Sequence, residues 1–312
     1  MITFGPIPSR RLGKSLGINN IPIQKVCSYS CVYCQVGITK KYSIIREKFY
    51  EPEVIYKEVK RHLEILSDKD KPDYLTFVAN GEPTLDINLG KSIKMLKTLN
   101  LPIAVITNAS LLNDASVRND LKSADWVSVK IDTGNKIVWK CINRPFHGID
   151  FEDYIQGLHV FSKVFKGKLV SETMLVKYLN ETTGILYQTA DLVSQINPSI
   201  AYISIPTRPP AITIVKAPDE LVINEAYQIF SEKIQKTELL LGFEGTDTGY
   251  TGNAKDDILN ICAVHPIRED TMKEILRKDH ATTHVLDSLI IDNQIKQVEY
   301  NGKFYYVRQI QS

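Results

Sequence analysis

Three cysteines form the most chemically suggestive cluster in this sequence. Of the five cysteines among 312 residues, Cys27, Cys31 and Cys34 lie within one short stretch. Thiolates bind zinc and iron–sulfur clusters, and structural zinc sites normally use four protein ligands. Three neighbouring thiolates without an obvious fourth ligand favour a 4Fe–4S cluster that leaves one iron open for a second molecule. The spacing alone does not exclude zinc.

The overall composition is that of an ordinary globular protein. Hydrophobic residues make up 43% and charged residues 24% of the chain, which allows a sizeable core. No apolar run approaches the roughly 20 residues that cross a bilayer, and residues 1–13 lack the apolar region of a secretory signal. We therefore expect a cytoplasmic monomer with no membrane association and no disulfides. Cys141 and Cys262 stand alone, and we interpret both as small buried residues.

Positive charge is concentrated near the N-terminus. The whole chain has a net charge of +2, but residues 1–48 contain eight Lys or Arg and a single acid, Glu47. Such a charge run is typical of a solvated surface. It also suits an entrance that attracts phosphates or carboxylates. Because the three cysteines lie inside this segment, we favour the second interpretation.

Strand-like and helix-like segments alternate along most of the chain. Short apolar runs such as Tyr74–Ala79 are typical of buried parallel strands, and the apolar stripe from Ile55 to Leu66 indicates a helix. Six strands with crossover helices predict a parallel α/β architecture whose ligands lie at the C-terminal ends of the strands. The predicted strands are Ile21–Gln24, Tyr74–Ala79, Pro102–Ile106, Trp126–Ile131, Lys168–Val176 and Ala201–Ile205, and the predicted helices are 51–66, Asp86–Leu99, Asn113–Lys122, Asp150–Phe165, Glu181–Ile196 and Asp219–Lys236.

The pattern changes near residue 245, where a linker over Phe243–Asn253 is rich in Gly, Thr and Asp. Beyond it, the sequence predicts three short helices and then two strands joined at Asn301-Gly302, a strong hairpin signal. We therefore expect two domains, an α/β domain over residues 1–244 and a winged-helix-like module over residues 245–312. The predicted elements of the module are the helices Asp256–Val264, Arg268–Lys278 and Thr282–Asn293 and the strands Ile295–Tyr300 and Lys303–Gln309.

The segment Cys27-Ser-Tyr-Ser-Cys31-Val-Tyr33-Cys34 resembles the CxxxCxΦC motif of the radical S-adenosylmethionine (SAM) superfamily. The spacing matches, and an aromatic residue precedes the last cysteine. Asn80-Gly81-Glu82-Pro83-Thr84, after the second predicted strand, resembles the Gly-Glu motif of the same superfamily. Within residues 1–240 the chain is most similar to the branch of the wyosine-forming tRNA enzymes (4-demethylwyosine synthase-like). The segments that carry this similarity are Ser9–Gly13, Asn80–Thr84, Asn143–Pro145, Glu172–Val176 and Arg208–Pro210.

The resemblance implies a partial (β/α)6 radical SAM barrel with a 4Fe–4S cluster at its mouth. In this superfamily the open iron chelates the amino and carboxylate groups of SAM, and reductive cleavage yields a 5′-deoxyadenosyl radical that abstracts hydrogen from a C–H bond. The protein binds and orients the reactants. The implied partner is a reductant such as flavodoxin or ferredoxin.

The resemblance also implies roles for individual residues. Cys27, Cys31 and Cys34 would ligate iron, Glu82 would accept a hydrogen bond from the methionine ammonium, and Tyr33 would lie against the adenine. Gly81 would let the backbone approach closely, and Asp132 would bind the ribose hydroxyls. The remaining expected SAM contacts are Asn80, Asn108, Lys130, Ser204, Pro206 and Thr207, and Glu172, Met174 and Arg208 would face SAM or substrate.

The chain departs from the wyosine-forming branch in its cysteines. Those enzymes carry additional cysteines for a second cluster, and this chain has none before Cys27. We therefore expect a different substrate, which the sequence leaves open between an RNA or tRNA base, a peptide or protein, and a small molecule. Residues 254–312 hold eight Lys or Arg and nine Asp or Glu, whereas a nucleic-acid reader is usually basic. The alternative hypothesis is an iron–sulfur sensor or transcriptional regulator that uses the winged helix and does not cleave SAM.

Overall fold

Residues 2–21 and 24–309 are described by a computed structural model. Most of the apolar runs of the sequence lie in its strands and helices. Short 3-10 turns follow α1, β5 and α2. The elements of the N-terminal part are, in chain order, β1 (Thr3–Ser9), β2 (Gly13–Ile18), β3 (Val26–Cys27), β4 (Lys41–Tyr42), α1 (Pro52–Ile65), β5 (Tyr74–Phe77), α2 (Leu89–Leu96), β6 (Ile103–Thr107), α3 (Ala115–Leu121), β7 (Trp126–Lys130), α4 (Lys136–Asn143), α5 (Phe151–Val164), β8 (Lys168–Met174), α6 (Thr183–Ile196), β9 (Ile200–Ser204), α7 (Glu220–Lys233) and β10 (Thr237–Leu240).

The main sheet of the described chain has eight strands in the order β1-β2-β5-β6-β7-β8-β9-β10. Strand β1 is antiparallel to β2, and every later pairing is parallel. The sheet curls into the predicted partial barrel. Its parallel strands end at one edge, so the segments that follow them converge there. The two-residue strands β3 and β4 pair with each other and hold the cysteine loop at that edge.

The core lies between the curled sheet and the helices that cover it. Leu75, Val105 and Val127 on neighbouring strands are fully buried, as are Ile55 and Val59 on the inner face of α1. Burying an aliphatic side chain of this size contributes about 1.5–3 kcal/mol. A rigid core of this kind fixes the strand ends and hence the side chains they carry.

The C-terminal helices and strands form a second, smaller core. Phe4 of β1 packs into this core, so the module rests on the edge of the barrel sheet. Asn301 and Gly302 both have positive φ angles, as a two-residue type I′ hairpin turn requires. The predicted hairpin is therefore confirmed. The module's elements are α8 (Ala254–Val264), β11 (Ile267–Arg268), α9 (Glu269–Lys278), α10 (Thr283–Ile291), β12 (Ile295–Tyr300) and β13 (Lys303–Arg308).

The structure corrects several sequence predictions. The strand predicted at Ile21–Gln24 includes residues 22–23, which lie outside the described residues, and its described ends are not in a strand. The first parallel strand is instead β2, which β1 precedes in a hairpin that the alternation pattern did not reveal. Strand β10 adds a further parallel strand, and helix α4 was not predicted. No helix in the described ranges has both the length and the apolar character needed to cross a membrane.

The prediction that Cys141 is buried is wrong. Helix α4 buries Trp139 and Ile142 on one face, and Cys141 lies on the exposed face between them in sequence. Cys262, in contrast, is buried as predicted. The burial of an isolated cysteine depends on the face of the helix on which it lies. The residue type alone does not show which face of α4 Cys141 occupies.

Candidate active site at the mouth of the barrel

A cavity of about 270 Å³ opens at the C-terminal edge of the sheet and is lined by all three clustered cysteines. Strand ends from β5 to β10 complete its wall. The convergence follows from the parallel topology, because segments distant in sequence meet where parallel strands end. Eleven of the thirteen residues predicted to hold the cluster or SAM line this cavity: Cys27, Cys31, Tyr33, Cys34, Gly81, Glu82, Asn108, Lys130, Ser204, Pro206 and Thr207.

Asparagine side-chain amides lie within hydrogen-bonding distance of two of the cysteine sulfurs. Asn108 Nδ2 lies 3.6 Å from Cys27 Sγ, and Asn143 Nδ2 lies 3.5 Å from Cys31 Sγ. Burial raises the pKa of Cys27 to about 12 and that of Cys31 to about 11. Buried thiols of this kind ionise when a metal supplies positive charge, and the amide donors then stabilise the thiolates.

Lys25 provides the donor to the third sulfur. Its Nζ lies 3.1 Å from Cys34 Sγ and also donates to Gly37 O. Burial would lower the pKa of Lys25, but Cys34 and Cys27 raise it overall. A buried, charged lysine therefore stands beside the cysteine cluster. Sequence reasoning counted Lys25 only as part of the basic segment.

Gly81 holds the loop after β5 against the cysteine segment. Its φ is +143°, and a Cβ there would lie 1.8 Å from Val26 O. The close approach lets Glu82 N donate to Val26 O at 3.1 Å. Only glycine fits this conformation and this contact. The predicted close backbone approach is present, and its partner is Val26.

Glu82 projects from this loop into the cavity while it stabilises the turn after it. One carboxylate oxygen accepts bonds from Thr84 and Thr107, and the other accepts from Asn108 N at 2.8 Å. Burial raises the pKa of Glu82, although these hydrogen bonds oppose the shift. A cation placed in the cavity would hold the carboxylate in its charged form.

Asp132 and Asn80 do not line the cavity. Asp132 is 2% exposed. It accepts hydrogen bonds from Tyr33 Oη, from Asn143 Nδ2 and from Met174 N. Asn80 is also buried, and its backbone N–H donates to Asn19 Oδ1 at 2.8 Å. Asp132 therefore supports the wall from behind by fixing the Tyr33 ring.

A buried ionic cluster forms a further part of the cavity wall. Glu172 on β8 is paired across the sheet with Lys130 on β7. Its carboxylate accepts from Lys130 Nζ at 3.1 Å, from Ser204 Oγ at 3.0 Å and from Arg11. Burial would raise the pKa of Glu172, but Arg11 and Lys130 lower it well below its usual range. Glu172 is therefore a fixed anion. Arg11 arrives on the turn between β1 and β2, which the sequence patterns did not predict.

The sequence profile described as the radical SAM superfamily matches residues 21–190, more than half of the chain. The chain belongs to the radical SAM superfamily. The predicted resemblance is confirmed by a match that covers the cysteine loop and most of the barrel.

Relatives of this radical SAM protein cover all or most of its length. The UPF0026 protein MJ1312 of Methanocaldococcus jannaschii is 44% identical over 100% of this chain and 97% of its own. A UPF0026 protein of Synechocystis is 38% identical over 66% of this chain and 76% of its own. A solved structure of TYW1 with a lysine-pyruvate adduct bound has a TM-score of 0.54 and 14% identity over 72% of this chain and 76% of that chain. The last likeness is one of fold.

Radical SAM enzymes use a 4Fe–4S cluster and SAM, and the cavity suits both. Three thiols on one wall, each within reach of a polar donor, match the ligand set of a cluster with one open iron. Within 2–21 and 24–309, no three His, Cys, Asp or Glu side chains are grouped so as to hold a metal ion. Cluster thiolates bind separate irons, so they need not converge on one ion. Glu82 offers an acceptor for an ammonium group, and Val78, Ala79 and Ile106 add an apolar wall.

A second cavity of about 230 Å³ lies between the strand ends of this radical SAM barrel and the C-terminal module. The segment Ile205 to Arg208 and the side chain of Glu244 line both cavities. The module contributes His265 and Tyr305 to the second cavity. Sequence reasoning did not identify Glu244 or His265 as site residues, because the loop after β10 read as a linker.

Proposed function

We propose that this radical SAM enzyme removes a hydrogen atom from a substrate bound where the mouth of the barrel meets the C-terminal module. The observation that supports this proposal is that the cavity lined by the cysteines and the cavity lined by the module share one wall, formed by residues 205–208 and Glu244. The three cysteines line the first cavity, and the module lines the second. When bound, the cluster and SAM supply a 5′-deoxyadenosyl radical, which attacks unactivated C–H bonds. A substrate in the second cavity is adjacent to the cavity proposed to hold these cofactors.

In this proposal the protein binds, orients and shields the reactants. Cys27, Cys31 and Cys34 hold the cluster, and Glu82 accepts from the ammonium group of SAM. The remaining lining residues Asn108, Lys130, Ser204, Pro206 and Thr207 contact SAM or hold its contacts in place. Tyr33 is fixed by its hydrogen bond to Asp132 and by Lys130, whose Nζ lies 5.0 Å from the centre of its ring. Because these contacts restrict the Tyr33 side chain, this part of the cavity wall is preorganised for binding.

The C-terminal module, proposed here as a separate domain over residues 245–312, acts as a wall of the active site. Tyr300 Oη donates to Pro206 O at 3.1 Å, and Tyr305 Oη donates to Thr207 O at 3.0 Å. These tyrosines belong to the wing strands, so the wing faces the barrel. An iron–sulfur regulator would need a basic DNA-facing surface, and helix α10 over Thr283–Ile291 contains no Lys or Arg. The enzyme interpretation therefore accounts for the module better.

Every radical SAM enzyme needs a reductant, and we propose that an acidic flavodoxin or ferredoxin supplies the electron. The exposed side chains Lys140, Arg144 and His147 line a groove next to the cysteine loop and form no ion pair among the described residues. Phe146 N, in the same segment, donates to Ser28 O at 2.8 Å. Complementary charge would steer an acidic carrier to this groove.

SAM cleavage tests the proposed function. The protein is reconstituted anaerobically with iron and sulfide, mixed with SAM and dithionite, and assayed for 5′-deoxyadenosine. Cys34→Ala is expected to lose both the cluster absorbance and the cleavage. Cys141→Ala is the matched control, because Cys141 is exposed and does not line the cavity. A protein that binds about four irons per chain and never cleaves SAM contradicts the proposal.

A further inference from the structure

Two arginines and one carboxylate lie at and beside the boundary between the two cavities, so the positive charges there exceed the negative charges by one. Arg10 and Arg208 both line the first cavity, and Glu244 lies between them. Arg208 Nη2 donates to one oxygen of Glu244, and Arg10 Nη2 lies 3.6 Å from the other. One carboxylate therefore faces two guanidinium groups.

Nearby titratable groups do not remove this excess. Burial would raise the pKa of Glu244, but the charges of Arg208 and Arg10 lower it, so Glu244 is charged. Burial and Arg208 lower the pKa of His265 to about 3, so His265 is neutral. Arg268, from the module, also lines the second cavity but has its own carboxylate partner in Asp270. The trio Arg10, Arg208 and Glu244 keeps a net charge of +1.

Arg10 is the cation with unused hydrogen-bonding capacity. The other four cations of the first cavity donate to fixed partners: Lys25 to Cys34, Arg11 and Lys130 to Glu172, and Arg208 to Gln35 and Glu244. In the described residues, the Arg10 guanidinium makes no hydrogen bond, and only the 3.6 Å ion pair holds it. A planar guanidinium with free N–H groups is suited to bidentate binding of a carboxylate or a phosphate.

The position of Arg10 favours a substrate group as its partner. Glu244 and Arg208 line the second cavity as well as the first, and no cysteine lines the second cavity. Arg10 itself lines only the first cavity, but it lies beside Glu244, so an anion bound by Arg10 is at the boundary between the proposed SAM site and the second cavity. The second cavity, of about 230 Å³, is enclosed by barrel and module residues and is of a size for a small molecule.

We propose that the substrate is a small molecule with a carboxylate or phosphate group, that Arg10 binds this group directly, and that Arg208 and Glu244 position it. This inference rests on the proposed function, because it names the substrate class of the same site. It also explains why the N-terminal basic segment lies at the first cavity: the hairpin of β1 and β2 places Arg10 there, beside Glu244.

Calorimetry with two anionic probes tests the proposal. Inorganic phosphate and succinate are titrated into reconstituted protein that contains SAM but no reductant, against a sodium chloride control of equal ionic strength. We expect Arg10→Gln to weaken binding of at least one probe by about tenfold, because it removes a charge-assisted bidentate contact. Preference for phosphate or for succinate distinguishes the two anion chemistries. Arg10→Lys is expected to recover part of the affinity.

Two controls show whether the loss of affinity is specific to Arg10 and to the substrate group. Lys40→Gln removes an exposed charge from the same basic segment, outside the cavity, and is expected to leave probe binding unchanged. The affinity of Arg10→Gln for SAM is measured by the same calorimetry, and we expect probe binding to weaken by a larger factor than SAM binding, because the proposal gives Arg10 the substrate group as its partner. Equal probe binding by Arg10→Gln and wild type overturns the inference, as does an equal loss of SAM affinity, which would assign Arg10 to SAM. Absence of SAM cleavage by wild type would instead overturn the proposed function.

Discussion

The ammonium group of Lys25 lies 3.1 Å from the sulfur of Cys34, and only 3% of Lys25 is exposed. This contact places a buried positive charge beside a proposed cluster ligand. Reduction adds negative charge to a cluster, and a nearby cation or hydrogen-bond donor favours the reduced state. Lys25 is therefore expected to make the cluster easier to reduce.

Replacement of Lys25 tests this effect. Lys25→Met provides an apolar side chain of similar length and removes the charge. We expect it to lower the midpoint potential of the cluster on the order of 50 mV, because it removes a charged hydrogen bond worth about 1.4 kcal/mol, and this energy corresponds to about 59 mV for one electron. An EPR-monitored redox titration of the reconstituted protein measures the shift. Lys25→Arg should retain most of the wild-type potential, and Lys40→Met should not change it. A fully loaded Lys25→Met cluster with the wild-type potential would rule out this role.

Gly81 offers a second test, which concerns assembly of the site. A Cβ at this position would collide with Val26 O, one residue before Cys27. We expect Gly81→Ala to displace the cysteine segment and to reduce iron incorporation at least severalfold, measured by iron content and cluster absorbance after reconstitution. Gly184→Ala is the matched control, since nothing lies within 4 Å of its added Cβ and it lies in helix α6. That variant should bind iron normally and gain about 0.5–1 kcal/mol of stability. Normal iron loading in Gly81→Ala would show that the segment can move aside.

Local sequence patterns predicted most of the parallel strands and their ends, but not β3, the short strand that carries Cys27. Runs such as Tyr74–Ala79 are apolar because both faces of a parallel strand are covered, and this signal is local. The cysteine motif is also local, so Cys27, Cys31 and Cys34 were identified without knowledge of the fold. Eleven predicted site residues meet in one cavity because parallel topology brings strand ends together.

The partners of those residues could not be found in the same way. Arg11 and Glu172 are far apart in sequence, and their contact depends on a hairpin that lacks a clear alternating pattern. Glu244 follows β10, and the sequence pattern assigned Thr237–Leu240 to no element, between the helix predicted to end at Lys236 and the predicted linker. The basic excess of residues 1–48 was the available signal. It indicated an anion-facing entrance but not which arginine makes no side-chain hydrogen bond within the part of the chain that the structure describes.

The basic groove beside the cysteine loop leads to a prediction about electron delivery. Lys140 is exposed on α4 and lines this groove. We expect Lys140→Glu to slow cluster reduction by a reduced flavodoxin about tenfold at low salt, because complementary charge mainly affects the rate of association. Stopped-flow absorbance measures the rate, and the difference should diminish as salt rises. Reduction by dithionite provides the control for an intact cluster. If Lys140→Glu and wild type accept electrons from flavodoxin equally fast, the carrier docks elsewhere.

The module contains a carboxylate pair that should make its stability depend on pH. Asp257 on α8 accepts hydrogen bonds from Thr251, and its side chain also interacts with that of Asp279, which has His280 nearby. Burial, assisted by the charge of Asp279, raises the pKa of Asp257 to about 7. The folded state therefore binds a proton that the unfolded state has already released. This contribution to stability is complete below the unfolded pKa of about 4 and is lost as pH rises through about 7.

Asp257→Asn tests that dependence, because an amide keeps the shape of the side chain and does not ionise. We expect the free energy of unfolding of wild type, relative to that of Asp257→Asn, to fall between pH 5 and pH 8 with a slope no steeper than about 1.4 kcal/mol per pH unit. The melting temperature of wild type should fall relative to that of the variant over the same range. Comparing the two proteins at each pH cancels the effects that both share. One such effect comes from His62: burial lowers the pKa of its ring, so it destabilises both proteins as pH falls below about 6.5. Asp256→Asn, a change at a partly exposed residue of the same helix, should follow wild type. A difference that stays constant over this range would mean that Asp257 is ionised in the folded protein throughout, with the Thr251 hydrogen bonds outweighing burial and Asp279.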